Sequence, residues 1–146
     1  MRRIAAFTVV SADREPAPRI RLRRAEDGAV IDLDAATLLA QFETAAGDVL
    51  LVLDEDCPYE EQLHLVLVRR GRVADHIVIG GWYATGTFEA LGSDGDTLRF
   101  RFADDGVLAL RVGDSSWWPE RLPAGARREG GWLGPRLLHL SEEKKR

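Results

Sequence analysis

The sequence is poor in cysteine, histidine and lysine, and it contains no long apolar run. Its 146 residues include one cysteine, Cys57, so no disulfide can form within the chain. A chain without internal disulfides is typical of a reducing compartment, and we expect a cytoplasmic protein. No segment approaches the roughly 18 uninterrupted apolar residues of a membrane-spanning helix, so we expect no membrane partner.

The first apolar run is too short for a secretion signal. In "MRRIAAFTVVSADREP" the run from Ile4 to Val10 is followed by the charged "ADRE", with no small-x-small cleavage site before it. We therefore interpret this run as the first strand of the folded protein.

A length of 146 residues fits a single domain with one hydrophobic core. The composition agrees, because 45% hydrophobic and 30% charged residues are ordinary for a globular protein. The pattern along the chain predicts a strand meander, a loop rich in Trp, Pro and Gly, a final strand and a tail. These parts span residues 1–112, 113–135, 136–141 and 142–146.

Acidic residues are concentrated in the middle of the chain. Residues 26–114 hold 18 acids and six arginines, a formal charge of −12, whereas residues 1–25 carry +5 and residues 115–146 carry +3. An acidic body attracts cationic partners and repels phosphate backbones. We therefore expect no nucleic acid as a partner.

Alternation of apolar and polar residues is the most repeated signal. In "TLRFRF", Leu98, Phe100 and Phe102 alternate with polar residues, which is typical of a half-buried strand. Turn-forming segments flank it and "VLALRV" follows, which predicts consecutive hairpins. The segments "RIRLRR", "AVIDLD", "LHLVLV" and "RVADHIVI" extend the pattern upstream. The sequence therefore predicts a mainly β fold, an antiparallel meander that forms a curved sheet, half-barrel or sandwich.

The segment Ala35–Ala46 fits two secondary structures. Asp34 would cap a helix that ends at Gly47, and the residues between them favour helix. Equally, alternate residues from Leu38 to Thr44 would share one face of a strand, and "AAGD" would turn the chain into "VLLVLD". We prefer the hairpin, because the surrounding segments are strands and helix propensity alone is a weak guide. The fold then has at most this one short helix.

After Val112, prolines, glycines and tryptophans replace the alternating pattern. The segment "GDSSWWPERLPAGARREGGWLGP" cannot sustain a long regular element. A loop of this length is uncommon in a compact domain, so we expect it to be functional or to be held down by Trp117, Trp118 and Trp132. A final strand, "RLLHLS", then rejoins the sheet.

The segment "LVLDEDCPYEEQLHLVLV" places five carboxylates, the cysteine, a tyrosine and a histidine between two apolar runs. Calcium loops arrange their ligands around a glycine, which is missing here, and zinc sites use more His and Cys than this chain offers. A nucleophilic thiolate needs an electropositive setting, whereas Cys57 lies among carboxylates. We therefore expect no metal, no cofactor and no catalytic residue, and we interpret residues 54–61 as a solvated loop.

Two histidines, His64 and His76, lie close together in the sequence. They would be diagonal neighbours if the hairpin around Gly71 has a three-residue loop, and they would lie on opposite faces if the loop has two residues. The sequence leaves both registers open.

The run "LLVLDEDCPYEEQLHLVLV", followed by "TGTFEAL" and "TLRFRF", resembles small bacterial immunity proteins of polymorphic or contact-delivered toxin systems. The resemblance covers residues 38–112 and implies a stoichiometric inhibitor of a cognate toxin domain encoded nearby. Together with the acidic body, it predicts a non-catalytic protein-binding module that masks a basic toxin domain. The predicted partner-binding residues are Asp54, Glu55, Asp56, Tyr59, Glu60, Glu61, Trp117 and Trp118.

Two other functions stay open. A barrel-like binder of a small apolar or planar ligand requires an internal cavity. Its lining residues would be Trp82, Phe88, Phe100, Phe102 and Trp117. An enzyme would use the Asp/Glu/His cluster of the acidic segment, whose side chains would converge within hydrogen-bond reach in a cleft. A homodimer is a further arrangement, because a long edge strand such as "LHLVLV" would pair across a two-fold axis.

Overall fold

The computed structural model describes residues 1–57, 61–80, 87–102, 106–113, 121–129 and 136–143. These residues form strands and no helix, and none of them belongs to a helix that could cross a membrane. The strands are β1 (Arg2–Arg3), β2 (Phe7–Asp13), β3 (Arg19–Arg24), β4 (Val30–Leu33), β5 (Thr37–Glu43), β6 (Val49–Asp54), β7 (Gln62–Arg69), β8 (Arg72–Gly80), β9 (Glu89–Asp94), β10 (Thr97–Arg101), β11 (Leu108–Val112), β12 (Ala126–Arg128) and β13 (Leu138–Glu142).

The strands form three antiparallel sheets, which confirms the prediction of a mainly β, antiparallel fold. The central sheet has the order β1-β5-β6-β7-β8-β12. The four-stranded sheet has the order β13-β11-β10-β9, and the three-stranded sheet has the order β2-β3-β4. Neighbours along the chain are mostly neighbours in a sheet, as the repeated hairpin signals predict.

The middle strands of the central sheet, β6 and β7, are buried on both faces. On β6, Leu50 and Val52 pack with the core residues of the four-stranded sheet, whereas Leu51 and Leu53 pack with those of the three-stranded sheet. Successive side chains of a strand point to opposite faces, so a strand that is packed on both faces is apolar at most positions. This requirement explains the continuous run "VLLVL" where the outer strands alternate.

The segment Ala35–Ala46 belongs to a hairpin, as we predicted, and not to a helix. Strands β5 and β6 pair from Glu43 and Val49 onward, and the turn between them has a positive φ of 87° at Gly47. Thr44 and Asp48 close the turn, because the amide of Asp48 donates to Thr44 Oγ1 at 3.1 Å. Pairing and packing within the central sheet require a strand here, and this tertiary requirement outweighs the local helix propensity.

Strand β7, which carries "LHLVLV", lies between β6 and β8. The idea that this segment is an exposed edge strand for a homodimer is therefore wrong. Its residues from Leu63 to Val68 are buried, which explains why all of them except His64 are apolar.

The apolar run from Ile4 to Val10, which we predicted as the first strand, is not one strand: β1 ends before it and β2 begins within it, at Phe7. Ile4 donates its amide hydrogen to the carbonyl of Gln41 in β5, so this part of the chain still follows the central sheet. The chain then crosses to the three-stranded sheet, where β2 starts at Phe7. The side-chain amide of Gln41 bonds both the N–H and the C=O of Phe7, at 2.8 and 2.9 Å, and so fixes the crossing point.

The segment 113–135 is not all loop, because β12 lies within it and pairs with β8. Buried Asp75 of β8 forms an ion pair with Arg128 of β12. The same carboxylate accepts the backbone N–H groups of Leu137 and Leu138, each at 2.9 Å. Asp75 thus ties the central sheet to the four-stranded sheet. Trp117, Trp118 and Trp132 lie outside the described residues.

Candidate functional site

The end of the central sheet where β6 stops and β7 starts brings together most of the polar groups that the sequence singles out. His64 lies on β7, two residues before Val66, which packs against the three-stranded sheet. Because side chains two residues apart share a face, His64 points toward the same sheet. Glu55 follows β6, and its side chain lies beside that of His64.

A β-bulge places His76 on the face of His64. The turn of the β7–β8 hairpin has two residues, Arg70 and Gly71, with φ values of 52° and 74°, and positive φ at both positions is typical of a type I′ turn. With that turn alone, the two histidines would lie on opposite faces. The register shifts at Ala74, however, which has no partner in β7.

The two histidines and Glu55 form one hydrogen-bonded chain. His64 Nδ1 lies 2.8 Å from His76 Nε2, and His64 Nε2 lies 3.0 Å from Glu55 Oε2. The side chain of His64 is only 5% exposed and that of Glu55 is 20% exposed. We refer to these three residues as the Glu55–His64–His76 chain.

Burial and the neighbouring His64 lower the pKa of His76 from 6.5 to about 4. Both causes disfavour a positive charge on the His76 ring. Three carboxylates act in the opposite direction and attract that charge. They are Glu129, Asp75 and Asp34.

The solvated-loop interpretation is wrong for Asp54 and Glu55. The carboxylate of Glu55 faces His64, and Oδ1 of Asp54 is buried without a hydrogen-bond partner among the described residues. Burial raises the pKa of Asp54, and the nearby charges of Asp56 and Glu61 raise it further. Two inward carboxylates therefore sit at the base of the segment.

Asp56 is more exposed and adopts the left-handed conformation, with a φ of 48°. Asp tolerates this conformation better than most residues. Its carboxylate forms an ion pair with Arg14. Glu55 thus contacts His64 on the inner side, whereas Asp56, the next residue, pairs with Arg14 nearer the surface.

Carboxylates from four parts of the chain meet here, and we call this set the acidic surface. Its members are Asp34 after β4, Asp54 at the end of β6, Glu55 and Asp56 after β6, Glu61 before β7 and Glu129 after β12. Ion pairs with arginine offset part of this charge. The arginines are Arg14, Arg19 and Arg127.

Four of the predicted partner-binding residues belong to the acidic surface: Asp54, Glu55, Asp56 and Glu61. The other four, Tyr59, Glu60, Trp117 and Trp118, lie outside the described residues. Sequence reasoning missed Asp34 and Glu129, because they come from distant segments that only the stacking of the sheets brings together.

The phenylalanines of the proposed ligand-binding alternative pack in the hydrophobic core. Phe100 and Phe102 are buried, and the ring of Phe88 contacts that of Phe100 with centroids 5.5 Å apart. These three side chains fill space between the central and four-stranded sheets. Trp82 and Trp117 lie outside the described residues.

Within the described ranges, no three His, Cys, Asp or Glu side chains are grouped so as to hold a metal ion. Cys57 is a free, partly buried thiol.

The fold and the site thus define an all-β protein of three stacked sheets with an acidic surface over a pair of histidines, of which His64 is buried and His76 is partly buried. No protein-family model, no curated protein and no solved structure matches the chain. The resemblance to immunity proteins therefore stays a prediction from the sequence.

Proposed function

We propose that the protein is a non-catalytic, cytoplasmic protein-binding module, an immunity-type inhibitor that masks a basic toxin domain with its acidic surface. The observation that supports this function is the convergence of six carboxylates from separate segments. Burial raises the pKa of Asp54, and the nearby charges of Asp56 and Glu61 raise it further, so repulsion between like charges is a smaller contribution to the shift. A cationic partner would relieve this repulsion.

Exposure decides which carboxylates make the first contact. The side chain of Asp34 is 85% exposed, and those of Asp56 and Glu129 are each 43% exposed. Such charges at the rim of an interface mainly raise the rate of association. Tyr59, Trp117 and Trp118 are the proposed aromatic anchors, which would be buried after the first encounter.

The test is binding to the protein encoded next to this gene, with and without the exposed carboxylates. The variant combines Asp34→Ala, Asp56→Ala and Glu129→Ala. Asp54 and Glu55 stay unchanged, because they face inward and their loss would alter the structure. We expect the association rate constant at low salt to fall by about tenfold or more, since electrostatic steering speeds association by factors of this order.

A charge-matched variant supplies the control. It removes three exposed acids that lie away from the acidic surface: Glu26, Glu89 and Asp94. The control should bind like the wild-type protein. Equal association rates for the two triple variants would contradict the proposed role of the acidic surface.

A second candidate function, an enzyme that uses the Asp/Glu/His cluster, is favoured by the Glu55–His64–His76 chain. A carboxylate that orients a histidine is a common arrangement in general acid–base catalysis. Turnover of simple ester and phosphodiester substrates that is lost in His76→Gln and kept in His139→Gln would support this function. Equal turnover in both variants would contradict it.

A further inference from the structure

Two turns contact each other at the end of the molecule that lies opposite the acidic surface. The β7–β8 turn, which contains Arg70 and Gly71, packs against the β3–β4 turn. A Cβ atom added to Gly71 would lie 3.4 Å from the Cβ of Ala29 and 3.3 Å from Nη2 of Arg24. Strand β7 runs from the acidic surface to this contact, and its eight residues span roughly 25 Å.

Five arginines surround the contact between the turns, and three acids lie among them. The arginines are Arg23, Arg24, Arg69, Arg70 and Arg72, and the acids are Glu26, Asp27 and Asp48. We call these eight residues the basic surface, which carries two net positive charges. Ion pairs join Arg24 to Asp27 and Arg69 to Asp48. The other three arginines are exposed and form no ion pair with residues that the structure describes.

Two apolar side chains are exposed beside these arginines. Val30 follows Ala29 and is 47% exposed, and Val73 lies two residues after Gly71 and is 43% exposed. Val30 pairs with Arg23 in the three-stranded sheet, so the two side chains share its outer face. Protein interfaces are enriched in arginine and have an apolar centre. The composition of the basic surface therefore fits a contact with another protein surface.

The acidic surface has the charge that the basic surface attracts. Its six carboxylates and its three paired arginines leave three net negative charges. Surfaces of opposite potential steer each other into contact. Because the two surfaces lie at opposite ends of β7, they can meet only between two copies of the chain.

We propose that the basic surface of one copy binds the acidic surface of a second copy, head to tail. Such a contact leaves one free surface of each kind, so further copies can add at either end. The average mass should therefore rise with protein concentration and should not stop at a dimer. This inference goes beyond the proposed function, because it requires the acidic surface but no toxin domain.

Sedimentation velocity of the full chain tests the contact at two salt concentrations. Charges interact over about 30 Å at about 0.01 M salt, whereas they are screened beyond about 3 Å at about 1 M salt. We expect the average mass to rise with protein concentration at low salt and to remain that of a monomer at high salt. A wild-type protein that stays monomeric at low salt at every concentration would overturn the proposal.

Two charge-reversal variants each remove one of the two surfaces. The basic-surface variant combines Arg23→Glu with Arg72→Glu, and Arg70 stays unchanged because its φ of 52° is part of the turn. The acidic-surface variant combines Asp34→Lys with Glu129→Lys, at side chains that are 85% and 43% exposed. Each variant alone should be monomeric. Their equimolar mixture should form a dimer and nothing larger, because one intact surface of each kind remains.

The matched control combines Arg101→Glu with Arg111→Glu, at two exposed arginines of the four-stranded sheet. It changes the net charge as much as the basic-surface variant does, and it should associate like the wild-type protein. Equal association of the control and the basic-surface variant would overturn the proposal, as would a mixture that stays monomeric. A wild-type mass that levels off at a dimer would indicate a symmetric contact and would also overturn it. These measurements contain no toxin domain, so they give the same result whether or not the proposed function holds.

Discussion

Replacement of Asp75 by alanine should destabilise the protein more than the loss of any exposed acid. The side chain of Asp75 is 3% exposed, and it pairs with Arg128, whose side chain is 12% exposed. The change would leave that guanidinium buried without its partner, together with the N–H groups of Leu137 and Leu138. Removal of one member of a buried ion pair costs about 3–5 kcal/mol.

The loss is measurable by thermal or urea unfolding at neutral pH. In a domain of this size each kcal/mol lowers the melting temperature by about 2–4 °C, so Asp75→Ala should lower it by roughly 6–20 °C. The control is Asp32→Ala, which removes an acid that makes a two-point contact with Arg21, at 2.8 and 3.1 Å, on the outer face of the three-stranded sheet. Surface ion pairs contribute little to stability.

Similar losses of stability in Asp75→Ala and Asp32→Ala would refute the reasoning, because burial would then not distinguish the two pairs. Hydrogen exchange adds a second readout. Since Asp75 links β8 to β12 and β13, the amides of those two strands should lose protection first in Asp75→Ala. Uniform loss across the central sheet would contradict the proposed link.

Two more predictions concern the histidine pair and the backbone beneath the acidic surface. His76 has a pKa of about 4 in the folded protein and an ordinary value of 6.5 in the unfolded chain, so the unfolded chain binds more protons between these pH values. The contribution of His76 to the free energy of unfolding should therefore be constant above pH 6.5, and it should lower that free energy by about 3 kcal/mol as the pH drops to 4. Urea titrations of His76→Gln should lack this part of the decline. Gly80→Ala should destabilise the protein by more than about 1 kcal/mol in the same assay, because Gly80 has a φ of 138° and an added Cβ would overlap the carbonyl oxygen of Glu61. The control is Gly106→Ala, in which the added Cβ meets no such overlap. Equal stability of the two variants would contradict the steric argument.

Local patterns in the sequence were enough to predict most strands. The alternation of Leu98 and Phe100 with polar residues corresponds to β10, in which both apolar side chains are buried. The hairpin of β5 and β6 was also predicted, although its residues favour helix. In both cases the period of the apolar residues indicates which face of the strand is buried. The burial of that face contributes more to the free energy of folding than local helix or strand propensity does.

Features that depend on tertiary contacts were beyond local patterns. A continuous apolar run such as "LHLVLV" fits an edge strand or a central one, and only the packing of sheets on both faces makes β7 central. Strand β12 lies in a segment rich in Pro and Gly, and it pairs with β8 beside the Asp75–Arg128 ion pair.

The candidate site was predicted in part, for a related reason. Asp54, Glu55, Asp56 and Glu61 were identified because they are close in sequence. The contact between the histidine rings depends on a single extra residue, Ala74, in one strand of a hairpin. A one-residue change in register reverses the face of every side chain beyond it. The residue types near Ala74 do not indicate a β-bulge.

The central claim is that the acidic surface is where a basic partner binds. Its most direct test is residue-resolved hydrogen exchange of this chain, alone and in complex with the protein encoded beside it. The account predicts new protection around Asp34, Asp56, Glu61 and Glu129, with little change in β9 and β10 of the four-stranded sheet. Protection confined to β9 and β10, with none at the four carboxylates, would contradict it.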